Sequence, residues 1–149
     1  MDISKIKSFD ALSDDEQKRA LLLLSKWKNI KSQEKCQKDF LEFVKYLWDG
    51  VILGRHHKIL AEKLNRVAQG KCKRLMVMLP PRHSKSEFAS TYFPAWMMGL
   101  NPALKIIQAT HTAELAVRFG RRVRNIIDSQ EYQHVFPQIS LSADNKSAG

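Results

Sequence analysis

The residues best suited to chemistry fall in one stretch, Arg74-Leu75-Met76-Val77-Met78-Leu79-Pro80-Pro81-Arg82-His83-Ser84-Lys85-Ser86-Glu87. Lys85 offers a cation and Ser86 a hydroxyl, and both follow directly on a tight polar turn. A buried strand, a turn and a helix starting at Lys85 make up the layout of a phosphate-binding loop. In such a loop backbone N–H groups and a helix N-terminus face the anion, the Lys neutralises it, and the Ser reaches a bound Mg²⁺. The generic pattern is G-x-x-x-x-G-K-[ST]. Lys85-Ser86 matches its end, whereas Leu79 and Ser84 occupy the two glycine positions. If position 84 needs a positive φ, a Ser there costs roughly 1 kcal/mol or more and narrows the room for a phosphate. The plain alternative is an ordinary strand, turn and helix with a solvated Lys.

The flanking pattern supplies elements that would position this loop. Leu75–Leu79 is apolar without alternation, which predicts a strand covered on both faces as in a parallel sheet. Pro80 and Pro81 end it. A helix over Lys85–Met98 would set Phe88, Tyr92, Trp96 and Met97 against the sheet, with a kink at Pro94. Asn101-Pro102 marks a turn, Lys105–Ala109 a second strand, and Thr110 or Thr112 a cap. The next helix, Ala113–Asp128, carries Leu115, Ala116, Phe119, Val123, Ile126 and Ile127 on one face and Arg118, Arg121, Arg122 and Arg124 on the other. One right-handed β-α-β connection results.

Upstream, Ser13 and Glu16 form a capping box for a helix running towards Ile30. A second helix begins near Glu34, with Phe40, Leu41, Val44, Leu47 and Trp48 as a core stripe and Gly50 as its end. Val51–His57 reads as a connector and Lys58–Ala68 as a third helix. Gln130–Pro137 reads as irregular, anchored by Tyr132, Val135 and Phe136. The first dozen residues read as loose and the last dozen as frayed.

Pro-Pro-Arg-His-Ser-Lys-Ser-Glu resembles the Walker A segment of tailed-phage terminase large subunits, the DNA-packaging ATPases, where Pro-Pro-Arg-His-Gly-Lys-Ser-Glu recurs. The similarity runs from about Phe40 to Pro137 and includes Gly54-Arg55-His56-His57, Tyr92-Phe93-Pro94-Ala95-Trp96 and Ile106-Ile107-Gln108-Ala109-Thr110-His111. The resemblance implies an α/β fold: a partial P-loop NTPase of RecA/ASCE-like type, its parallel sheet preceded by an N-terminal helical segment. The divisions would be 1–50 helical, 51–137 an incomplete ATPase core and 138–149 a disordered tail.

The implied ligand is ATP with Mg²⁺. Pro81, Arg82, His83, Ser84, Lys85 and Ser86 would hold the phosphates and Ser86 the metal. Lys85 and Arg82 would act on the γ-phosphoryl group, Arg82 as a sensor or finger in cis. A solvated turn arginine is the equal alternative for Arg82. Arg55, His56 and His57 are candidates for the adenine or ribose, although an adjacent His pair is more often surface than ligand. No Walker B strand ending in Asp-Glu follows; Leu141-Ser142-Ala143-Asp144 is the nearest approach. The expectation is therefore an N-terminal third of such a protein, from a split or interrupted gene or a deliberately shortened chain. Whether the chain hydrolyses ATP stays open, because the base-bearing pair is absent.

Composition bounds the alternatives. The 149 residues allow one domain with a modest core, and 44% hydrophobic content fits a globular chain. Nothing approaches a membrane span. Cys36 and Cys72 lack ligand spacing and read as isolated thiols. The net charge of +10 points to a polyanionic partner, double-stranded DNA in the first instance. The resemblance adds a small terminase subunit, a homo-oligomeric ring, a portal, the remainder of the large subunit in trans, and the cytoplasm of a host carrying the phage or prophage. The competing readings are a non-enzymatic basic nucleic-acid-binding module and an inactive truncated product.

Overall fold

A computed structural model describes residues 13–141. The chain divides into two compact units, 1–32 and 33–149. The loose start expected over the first dozen residues lies outside the described residues, as does the tail from 142 onward.

Within the first unit the described chain is helix. Helix α1 (Asp14–Lys38) opens with the expected capping box: Ser13 N–H donates to Glu16 Oε2 at 2.9 Å and Glu16 N–H to Ser13 Oγ at 3.4 Å. Three acidic residues in the first turn suit the positive end of the dipole. Leu21–Leu24, Trp27 and Ile30 are all exposed on this helix, and Lys31 Nζ sits 3.9 Å from the Trp27 ring centre. The sequence pattern suggests two helices parting between Ile30 and Glu34. Instead the helix is continuous to Lys38, because nothing from 31 to 38 breaks it and every residue there is helix-compatible.

The second unit contains the core. Asp39 caps helix α2 (Phe40–Leu47) by accepting from the amides of Leu41 and Glu42, and its other oxygen accepts from Asn65 of helix α3 (Arg55–Ala68). Asn65 in turn accepts from the Phe40 amide at 2.9 Å. This exchange fixes α2 on α3. Phe40 is fully buried and meets Phe88, Phe93 and Trp96 with ring centres 5.5–5.8 Å apart. The indole N–H of Trp96 donates to the Cys36 carbonyl at 2.8 Å. Beyond α3, helix 85–100 divides into a wide π turn (Glu87–Tyr92) and helix α4 (Phe93–Leu100). Helices α5 (Ala113–Asp128) and α6 (Gln130–Val135) close the unit. The segment read as irregular is thus α6, capped by Ser129, and its last carbonyls are met by the Gln33 and Gln37 side chains.

The kink expected at Pro94 takes a defined form. Proline has no N–H, so the carbonyl four residues back loses its donor. The backbone widens to an i→i+5 bond, Phe93 N–H to Phe88 O, and the Gln108 side chain donates to the Ser90 carbonyl at 3.3 Å. Buried Tyr132 donates its hydroxyl to the Ala95 carbonyl at 2.9 Å, anchoring α6 to the same helix.

The α/β expectation is overturned: among the described residues there is no strand and no sheet, so neither the P-loop NTPase parallel sheet nor the β-α-β connection exists. Segments 75–79 and 105–109 carry no backbone hydrogen bond to any other part of the described chain. Their exposure alternates instead. Val77 and Leu79 pack on the core while Met76 and Met78 are each 82% exposed; Ile106 is half-buried while Ile107 is 95% exposed. That is the period-two pattern of an extended chain covered on one side. The inference from a continuous apolar run presumed cover on both sides and neighbours to pair with, and this fold provides neither. No helix among the described residues is long and apolar enough to cross a membrane.

Candidate functional site

The loop lies between two apolar anchors. Leu79 before it packs on the core and Phe88 after it is fully buried, so residues 80–87 are left to bridge the two. Two prolines stiffen the first half. The second half turns through left-handed backbone twice, at Arg82 (φ 62°) and Ser84 (φ 55°). L-residues avoid this region by roughly 1–2 kcal/mol each, so strain is concentrated in this loop. Position 84 does adopt the conformation a glycine would take without cost.

A cavity of about 500 Å³ opens here, lined by Leu79–Glu87. Pro81, Arg82, His83, Ser84, Lys85 and Ser86, the six loop residues expected from the sequence, all line it. Lys85 is half-buried, with Nζ 3.4 Å from the Leu79 carbonyl at the start of the loop. The ammonium is thus folded back over the loop, on a long neutral contact that an anion would readily replace. The amides of Lys85, Ser86 and Glu87 occupy the first turn of a helix, where they have no intrahelical acceptor. Ser84 accepts the first helical bond, from the Phe88 amide at 3.0 Å.

Helix α3 starts at Arg55, three residues before the sequence reading placed it, so Arg55–His57 form its first turn rather than a connector. His57 Nδ1 accepts from the Gly54 amide at 3.0 Å and so closes the N-terminus. Gly54 has a steric role: a Cβ there would meet the His56 ring at 2.9 Å. The His56 ring lies 3.9 Å from His57 and 5.4 Å from His83 of the loop. His56 is therefore brought to the loop through His83, whereas Arg55 stays exposed at the start of α3. Burial, then His56 and His83 as neighbours, lowers the proton affinity of His57.

Two residues escaped sequence reasoning. Glu87 pairs with Arg122 of α5, tying the helix that carries the loop to the basic helix. Nothing over the 34 intervening residues announces that pair, and Arg122 reads in sequence as one of four arginines on a basic face. Gln108, the Ser90 partner, is equally silent in sequence.

A metal would have to be held in the manner of a nucleotide-bound ion. No group of three His, Cys, Asp or Glu residues among the described residues is placed to hold one. Mg²⁺ commonly takes one or two protein ligands and fills its remaining sites with water and phosphate oxygens. Ser86, exposed on the cavity wall, fits that single-ligand role. Against known proteins, the chain matches no family model, no curated protein and no solved structure.

Proposed function

We propose that this chain is the nucleotide-binding part of a DNA-packaging ATPase similar to phage terminase large subunits, holding the triphosphate of ATP·Mg²⁺ at Pro81–Ser86. The observation that carries the reading is the loop itself. Two non-glycine residues in left-handed backbone curve around a cavity, beside a lysine held by a weak contact and a helix first turn. Strained backbone of this kind persists where the surroundings over-determine it, commonly at ligand clamps.

Lys85 would neutralise the β and γ phosphates and Arg82 the γ-phosphoryl end. Ser86 would orient the metal through its hydroxyl, and the Lys85–Glu87 amides would donate to phosphate oxygens. His56 and Arg55, at the start of α3, would border the base or ribose. Bound Mg²⁺ supplies charge neutralisation on the phosphates. The partners of this reading are double-stranded DNA, further terminase subunits and portal, and the rest of the large subunit in trans. Its setting is the host cytoplasm.

Lys85→Ala tests it. ATP binding, read by titration with a fluorescent ATP analogue, should fall on the order of a hundredfold or more, from losing the principal phosphate cation, while affinity for duplex DNA hardly changes. The second reading, a basic nucleic-acid module, is favoured by the exposed Arg118 and Arg121 on α5 and by the lysines of α1. It expects DNA binding that resists Lys85→Ala, weakens on Arg118→Ala/Arg121→Ala, and proceeds without any nucleotide binding.

A further inference from the structure

Three imidazoles stand beside the loop, and the phosphate reading gives none of them a proton to carry. His57 is 6% exposed, and because Nδ1 accepts the Gly54 amide its ring proton resides on Nε2. That N–H is buried with no acceptor, and His56 Nε2 is buried without a partner as well. His83 Nδ1 lies 2.8 Å from the Pro81 carbonyl, so Nδ1 is the donor and Nε2 a bare acceptor. His83 both touches the His56 ring and lines the loop cavity. One ring therefore links the cavity to the buried pair.

The charged groups around the trio are nearly all of one sign. Arg82 and Lys85 lie on the loop, and Arg55 and Lys58 on the first turns of α3. Of the acids on the neighbouring elements, Glu87 pairs with Arg122, Glu42 with Lys45, and Asp39 caps α2 and holds Asn65, while Glu62 lies exposed further along α3. Of the residues that line the cavity Glu87 alone is acidic and it pairs with Arg122, so protonating His83 in the free loop adds a cation to a wall that already carries Arg82 and Lys85. A dianion in the cavity reverses that balance and offers an acceptor to the new Nε2–H.

We propose that the loop cavity is a proton-linked site for tetrahedral dianions, in which His83 gains a proton at Nε2 as the anion binds. His56 is a positioning residue here: its ring holds His83 at the cavity and is itself held against His57. The proposal rests on the anion-binding reading of the loop and deepens it by one proton. Burial, with His56 and His83 beside it, holds His57 below the ordinary histidine range, in keeping with an environment that resists positive charge.

Sulfate is the probe, since it does not itself titrate across the range. Calorimetry on the full chain, in buffers of differing ionisation enthalpy, should show uptake that peaks at about half a proton per sulfate. Affinity should rise on the order of tenfold between about pH 8 and about pH 5.5, the effect of roughly one unit of linked shift. His83→Gln, at an exposed position, should lose both the proton uptake and the rise towards low pH. His56→Gln, which removes the ring that holds His83 at the cavity, should reduce the proton uptake per sulfate, which a merely structural role would not do. His134→Gln on α6 should change nothing. Sulfate binding without proton uptake, or a rise that survives His83→Gln, overturns this proposal alone. No sulfate binding at any pH by a chain that circular dichroism shows to be folded overturns the anion reading of the loop with it.

Discussion

At the scale of single residues, the loop stores its strain in two side-chain-bearing positions, and one of them is testable directly. Ser84 sits at φ 55°, a conformation glycine adopts without a Cβ penalty. Ser84→Gly should stabilise the chain by about 1 kcal/mol, offset in part by the entropy of a freer unfolded backbone. Urea denaturation reads that gain, and phosphate or ATP affinity should rise alongside it. Unchanged stability would mean that position 84 carries no strain. The loop was the most legible part of the sequence, because Pro-Pro, Lys-Ser and the absence of glycine all act locally. The positive φ at Arg82 was not legible: an arginine carries no conformational signature, and its backbone is set by the two anchors, Leu79 and Phe88, rather than by its own preference.

At the scale of elements, sequence reasoning found most of the helices, missed α6, and misjudged what joins them. Apolar periodicity located α2, α3 and α5 because each buries one stripe; Thr112, one of the two caps suggested by sequence, accepts the Leu115 amide N–H on its side-chain oxygen. The strands failed because a strand is a pairwise object: Leu75–Leu79 is a good half of a ladder with no other half in the described fold. The π turn was half-visible, since Pro94 demands a disturbance but does not say which kind. Close packing of α4 on the chain after α6 gives a sharp prediction. A Cβ on Gly99 would lie 2.5 Å from the Phe136 ring, and Phe136 is 1% exposed. Gly99→Ala should therefore cost about 1–3 kcal/mol by overpacking, despite the better helix propensity of alanine. A thermal melt showing equal or higher stability would refute that geometry. Tyr132→Phe on the facing helix should cost about 1 kcal/mol by leaving the Ala95 carbonyl without its donor.

At the scale of the whole molecule, stability should depend on pH through His57. Its folded proton affinity lies below the unfolded value of 6.5, so the unfolded chain binds the proton more readily. Stability from this group is complete above about pH 6.5 and is lost as pH falls from there through the lower folded value, with a slope of at most about 1.4 kcal/mol per pH unit. Urea midpoints measured from neutral to mildly acidic pH should fall accordingly, and His57→Gln should flatten that part of the profile. The basic balance of the chain was plain from composition, but its distribution was not: Arg122 is spent on Glu87, and the lysines of α1 share their helix with exposed leucines. The two unpaired segments carry one last consequence. With no ladder to shelter them, the amides of 75–79 and 105–109 should swap deuterium for hydrogen at close to the free-peptide rate, while those of α2 and α4 stay protected for far longer. Methionines 76 and 78, bared to solvent in one of these stretches, should be the first sulfurs that peroxide converts to sulfoxide.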